Sequence, residues 1–205
     1  LNAALRSREL DEVATDALTA EAEDLIADAR EGAERIQRIV ERMTDLAPSR
    51  ESSRAAEVLE VRYAVEKAVA LASFGKDSGN IELGVADELP RVRVAEMDVI
   101  QIILHLLHNA AQMGGDDVPV AIRVRAERGG VAVRVEDGGP GIAEHDLPHV
   151  FEPLFTTRRP GAALGLGLSL CWELARRSGG TIDVENGPAK GAAFTLWLPA
   201  APDEE

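Results

Sequence analysis

Three short stretches of the chain bring together residue types that can do chemistry. His105, His108, Asn109 and Gln112 fall inside one apolar run that ends at Met113. Residues four apart share a helix face, so His105 goes with Asn109, and His108 goes with Gln112 on the neighbouring face. An Asn amide in such a helix is costly unless it finds a partner. A Mg²⁺ ion carrying phosphate ligands suits it, because Mg²⁺ takes few protein ligands and keeps several waters. Asp137-Gly138-Gly139-Pro140-Gly141 follows directly on a strand-like run. A turn needs one glycine, whereas three in five residues describe a backbone that must let something approach closely. Asp137 is then the one specific polar group, able to accept from an exocyclic amine. Gly165-Leu166-Gly167-Leu168-Ser169 opens a helix, and exposed amides at a helix N-terminus form an anion site. This G-x-G follows a long loop and not an apolar strand, unlike the dinucleotide folds. For His108 an imidazole without chemical role is the bland alternative. His145 and His149 have no metal-like companions and are assigned no chemistry.

The elements that must position these groups follow from periodicity. Val58–Val61, Ile81–Val85 and Val92–Val94 read as short strands, and Tyr63–Phe74 and Met97–Met113 as helices. Val118–Ala126 and Val131–Val135 alternate apolar and charged residues around Arg128-Gly129-Gly130, a hairpin signal. A Gly/Pro-rich loop runs from Asp137 to about Gly165. Leu166–Arg177 reads as a helix closed by Ser178-Gly179-Gly180, and Thr181–Glu185 with Ala193–Leu198 as a last hairpin. Hairpins mixed with helices predict an α+β sandwich, one mixed sheet with helices on one face. Ahead of it, Leu25, Ala29, Gly32, Ile36, Ile39, Met43 and Leu46 form a heptad seam flanked by Arg and Glu. Residues 1–52 are therefore expected to be a dimerising helical hairpin, incomplete at its start, and residues 53–205 the sandwich; Pro48, Ser49, Ser52 and Ser53 mark the break.

Composition narrows the classes of partner. The 205 residues carry 22 Lys plus Arg against 36 Asp plus Glu, a formal charge of -14. So acidic a surface repels phosphate backbones, which argues against nucleic acid, while a small phosphorylated ligand in a local cradle of amides is still allowed. Aromatics are only 3%, so the core must be aliphatic. The single cysteine, Cys171, excludes an internal disulfide and a multi-cysteine metal site. No apolar run approaches the roughly 20 residues that span a bilayer, and no basic-then-apolar leader opens the chain, so a soluble, cytoplasmic setting is expected, as a whole protein or as the cytoplasmic part of a larger sensor.

The order of the motifs adds a resemblance. His105-Leu-Leu-His108-Asn109-Ala110, Asp137-Gly-Gly-Pro-Gly141, Phe151-Glu-Pro-Leu-Phe155-Thr156-Thr157 and Gly165-Leu-Gly-Leu-Ser169 look like the N box, first glycine box, F box and second glycine box of the ATP-binding domain of sensor histidine kinases. The likeness continues through Ser178–Ile182 to Phe194–Pro199. It also runs back into Glu34–Val40, which resembles the second helix of that family's dimerisation hairpin. The resemblance implies a Bergerat-type α/β sandwich, with ATP and Mg²⁺ as cofactors. It implies transfer of the γ-phosphoryl to a histidine on the hairpin of a homodimer and onward to the receiver domain of a response regulator. Residue by residue, it implies that Asn109 ligates Mg²⁺, that Asp137 receives the adenine amino group, and that Gly139 and Gly141 shape the adenine side. Gly165, Leu166, Gly167 and Leu168 would face the phosphates, with His105 and Arg158 as catalytic neighbours. Ile142–Leu164 would be a lid anchored by Phe151 and Phe155, with Thr157 at the nucleotide.

Three departures stand beside it. Ala163 replaces the first glycine of the second glycine box, and His105 stands where Asn is common. The acceptor, a His followed by an acidic residue, is absent: none of the four histidines lies in residues 1–48. Two explanations are open: a chain that begins just after the motif, or a protein that has lost it. Either way, this chain alone is expected to bind ATP without phosphorylating itself. The competing functions are a dimeric, non-catalytic scaffold with a degenerate pocket, and another ATPase of the fold. Topoisomerase, mismatch-repair and chaperone ATPases carry a Glu base where this chain has His105, and an anti-sigma serine kinase has no need of the heptad hairpin.

Overall fold

The computed structural model describes residues 56–73, 81–114, 118–158, 164–187 and 190–202. The chain divides into units 1–49 and 50–205, and every described residue belongs to the second. The hairpin expected over residues 1–52, together with Phe74 and Ala163, lies outside the described residues.

Seven strands and three α-helices are described: β1 (Glu57–Leu59), α1 (Val61–Ser73), β2 (Ile81–Val85), β3 (Val92–Val94), α2 (Glu96–Gly114), β4 (Val120–Glu127), β5 (Gly130–Asp137), α3 (Gly167–Arg177), β6 (Thr181–Asn186) and β7 (Ala192–Pro199). Five strands form a mixed sheet in the order β2-β4-β5-β7-β6, with β2 parallel to β4 and the rest antiparallel. Beside this mixed sheet, β1 and β3 pair in a separate two-stranded antiparallel ladder, and Val92 of β3 makes one further bridge to Ala200. Val61, expected to end the first strand, instead begins α1. Val61, Ala64, Val65, Ala68 and Ala72 are all buried, a spacing that only a helix brings onto one side.

Register across the sheet sorts the side chains by face. Val124, Val133, Leu196 and Ile182 lie in one row, and Ile122, Val135, Phe194 and Val184 in the next; all but Val184 are buried. The alternate rows hold Arg123, Arg134, Thr195 and Asp183, then Arg125, Ala132, Trp197 and Thr181. Arg134 on this polar face pairs with Glu185 at 2.6 Å and Arg123 with Glu82 at 2.8 Å. A period of two with one apolar face lets the sheet cover one layer of helices. In that layer α2 packs on β5, α3 on β6 and β7, and α1 on α2. The β4–β5 turn places Arg128 at φ 51° and Gly129 at φ 70°, the left-handed pair that suits a two-residue hairpin.

Helices α2 and α3 run antiparallel, and three contacts set their register. At one end Arg177 donates to both Asp98 oxygens, at 3.1 and 2.6 Å. In the middle the Cys171 thiol lies 3.9 Å from the Ile102 carbonyl. At the other end a Cβ placed on Gly167 would sit 3.7 Å from Nδ1 of His105. Asp98 lies in the first turn of α2 and Arg177 in the last turn of α3, so each charge also suits its helix dipole. Asp98 is 6% exposed, so losing its partner would leave a carboxylate largely away from water. Arg177→Ala is expected to destabilise the domain by about 1–3 kcal/mol, discounted for the half-exposed guanidinium, a loss readable in urea denaturation. Burial pushes the Cys171 thiol up to about 12. A raised acid pKa favours the folded state below the ordinary thiol value of 9.0, and that contribution is lost as pH climbs from there toward 12. At pH 8 the thiol is therefore expected to react with a disulfide reagent only at the rate of unfolding, measurable by absorbance.

Candidate functional site

The α2–α3 register decides what α2 does beyond its last contact with α3. Asn109 follows His105 by one helical turn, about 6 Å along the axis, and so projects past the N-terminus of α3. That N-terminus begins at Leu166, whose side chain makes no capping hydrogen bond. The first turn of α3 holds no acidic residue to offset the positive end of its dipole. Its amides and the carboxamide of Asn109 thus border the same space, which is what an anion with a bound cation requires.

Gly165 fixes the approach to this helix. Its φ is +66°, and a Cβ there would lie 2.3 Å from the Phe155 carbonyl oxygen and 2.6 Å from the Leu154 carbonyl carbon. Only glycine fits, which is the reason the G-x-G pattern starts there. The Leu154 amide donates to the Gly165 carbonyl at 3.0 Å, tying the loop before α3 to the Phe151–Phe155 segment. Phe151 in turn meets Phe194 of β7 edge-on at 6.4 Å, and Phe155 lies 5.9 Å from the His149 ring. His149 also hydrogen-bonds Glu152 at 2.8 Å. Within the segment expected as a lid, Phe151 thus packs on the sheet and Phe155 on His149 of the same segment; residues 159–163 lie outside the described residues.

Asp137 ends β5 and is 7% exposed. Its Oδ1 accepts from the Gly139 amide at 2.8 Å and the Ala192 amide at 3.3 Å. Both bonds fall on Oδ1, so Oδ2 is the oxygen left to accept from a ligand. Gly191, at φ +85°, runs so close beneath that a Cβ would sit 1.7 Å from the Asp137 carbonyl oxygen. Asn186 at the end of β6 clamps the glycine-rich turn from the other side: its Oδ1 accepts from the Ile142 amide and its Nδ2 donates to the Ile142 carbonyl, both at 2.8 Å. Gly139 is buried and Gly141 stands beside Asn186.

Arg158 reaches α2. Its Nη2 lies 3.5 Å from Asn109 Oδ1, and its Nη1 donates to Oε1 of Gln112. Burial lowers the guanidinium pKa from its ordinary value. Its backbone amide bonds the Thr156 hydroxyl at 3.2 Å, and Thr157 beside it is exposed. The structure therefore sets His105 against Gly167 at the α3 N-terminus, where Gly165, Leu166 and Leu168 also lie, brings Arg158 to Asn109, and sets Asp137, Gly139 and Gly141 at the end of β5. Asn186 and Gly191 carry no signal in the sequence beyond a turn, because their partners lie 44 and 54 residues upstream, at Ile142 and Asp137. Among the described residues no group of three or more His, Cys, Asp or Glu could hold a metal ion. A cavity of about 550 Å³ lined by Glu60, Arg62, Asp87 and Glu88 includes none of these site residues.

Residues 94–202 match the model of the histidine kinase-, DNA gyrase B- and HSP90-like ATPases. The chain is 31% identical over 169 residues to the sensor histidine kinase ZraS of Escherichia coli K12, covering 82% of this chain and 36% of that protein. It is 32% identical over 181 residues to the C4-dicarboxylate transport sensor protein DctB of Pseudomonas aeruginosa, covering 83% of this chain and 30% of that one. The chain thus spans about a third of the length of these relatives. Among solved structures, the nucleotide-free catalytic domain of histidine kinase ThkA superposes with a TM-score of 0.64 at 25% identity, over 73% of this chain and 99% of that one. The mixed sheet and its single helical layer are therefore the sandwich of histidine kinase ATP-binding domains. Motif order, fold and sequence similarity agree, and the chain belongs to the histidine kinase-, DNA gyrase B- and HSP90-like ATPase family.

Proposed function

We propose that this chain is the ATP–Mg²⁺-binding catalytic core of a two-component sensor histidine kinase. It would serve a homodimer joined through residues 1–52 and pass the γ-phosphoryl, by way of a histidine on the dimerisation helix, to the receiver domain of a response regulator. The observation that carries the reading is Asp137: a buried carboxylate with one oxygen held by two backbone amides and the other left to accept. An exocyclic amine, as on adenine, satisfies Oδ2. Guanine presents a carbonyl at the equivalent ring position, and an acceptor facing a carboxylate is rejected. The α3 amides and the Arg158 guanidinium offer positive charge to the phosphates, and Asn109 Oδ1 offers one ligand to Mg²⁺. When bound, the metal supplies charge neutralisation on the phosphates. Phosphoryl transfer asks the protein mainly for positioning and electrostatic stabilisation, so these groups suffice for the nucleotide side of the reaction. No helix among the described residues is long and apolar enough to cross a membrane.

ATP with Mg²⁺ is expected to raise the melting temperature, by the amount that follows from about 2.7 kcal/mol of stabilisation at a hundredfold excess over Kd, and GTP to give far less. No shift with ATP means a degenerate pocket. Asp137→Asn keeps an oxygen for the Gly139 and Ala192 amides and turns its NH₂ toward the adenine amine, so two donors meet. Affinity measured by calorimetry should fall about ten- to hundredfold with the fold intact. In Asn109→Ala, chelating Mg²⁺ should change ATP affinity far less than it does in the wild type. Incubation with γ-labelled ATP should leave no acid-labile label on this chain, which has no histidine in residues 1–48.

A further inference from the structure

Gln112 has no role in the site as assigned so far, yet it sits at the centre of the contacts between α2 and Arg158. Its Oε1 accepts from Arg158 Nη1, and its Nε2 meets Nε2 of His108 one turn earlier. An amide nitrogen only donates, so His108 Nε2 is the acceptor and the imidazole carries no proton there. That contact fixes which way the carboxamide points. Turned over, it would set its NH₂ against the guanidinium, donor against donor, and leave the His108 acceptor facing an oxygen. One orientation alone serves both neighbours, and it directs the acceptor at Arg158. The second Arg158 nitrogen then falls beside Asn109 Oδ1 at 3.5 Å. Arginine has four rotatable side-chain bonds and loses much freedom when held, so a preset acceptor at its tip determines how often the charge is in place.

We propose that Gln112 is a positioning residue: oriented by His108, it holds the Arg158 guanidinium beside Asn109, where a triphosphate and its Mg²⁺ would lie. This deepens the nucleotide-binding reading and rests on it. Gln112 acts only through Arg158, and its side chain is exposed, so replacing it leaves no cavity in the core.

The test is a double-mutant cycle on the full chain with Mg²⁺, titrating ATP and ADP by calorimetry into the wild type, Gln112→Met, Arg158→Ala and the double variant. Methionine keeps the length and removes both hydrogen bonds. Gln112→Met is expected to weaken ATP by about three- to tenfold and to lower the preference for ATP over ADP, and the double variant to match Arg158→Ala alone. A merely structural role would instead persist with Arg158 gone. The proposal is overturned if Gln112→Met binds ATP like the wild type, or if its loss adds in full to that of Arg158→Ala. Absence of ATP binding by the wild type would overturn the nucleotide reading itself, a separate and distinguishable failure.

Discussion

The register of α2 on α3 is the constraint on which the site depends. Asp98 with Arg177 at one end and His105 beside Gly167 at the other fix how far α2 runs past the start of its neighbour. A slip of one residue along α2 would rotate Asn109 by about 100° and move it by about 1.5 Å, taking it away from the amides of α3. The ion pair is bidentate and largely buried on the carboxylate side, so it penalises such a slip more than an exposed pair would. Apolar packing alone is less selective, because a stripe of Val, Ile and Leu tolerates repacking.

A second set of constraints shapes the pocket from below. Gly191 passes so close to the Asp137 carbonyl that no side chain fits, and Ala192 next to it donates to the same residue's carboxylate. Asn186 holds Ile142 by both its backbone groups. The glycine-rich turn is thus held from three sides by backbone or by short polar side chains, and Asp137 is largely buried without being stranded. The negative surface does not contradict the proposed anion site, since the groups proposed to meet the phosphates are amide dipoles and one arginine and not the net charge.

Much of this was legible in the sequence. The helices over Met97–Met113 and Leu166–Arg177 and the hairpin around Arg128-Gly129 follow from local periodicity and turn chemistry, and the structure places them within a residue or two. Asp137 and Gly165 were visible because their neighbours are glycines in a fixed order. Val61, a β-branched residue next to a short apolar run, satisfies both periods, and burial on α1 decides between them. The separation of β1 and β3 into their own ladder is a pairing choice that no local pattern encodes. Gln112, Asn186, Gly191 and Arg177 act on residues 44 to 79 positions away, so their roles exist only once the chain is folded.

Strand β7 follows every other described strand in sequence, yet it is an interior strand of the sheet, between β5 and β6. During synthesis, β5 and its Asp137 emerge more than fifty residues ahead of the strand that holds them. Until β7 arrives, β5 presents an open edge and the glycine-rich turn lacks its floor, so a ribosome-bound chain has neither a closed sheet nor the proposed adenine pocket. Completion of the core and completion of the proposed nucleotide site are therefore one event in time, and a chain released short of β7 exposes an edge on which other chains can pair.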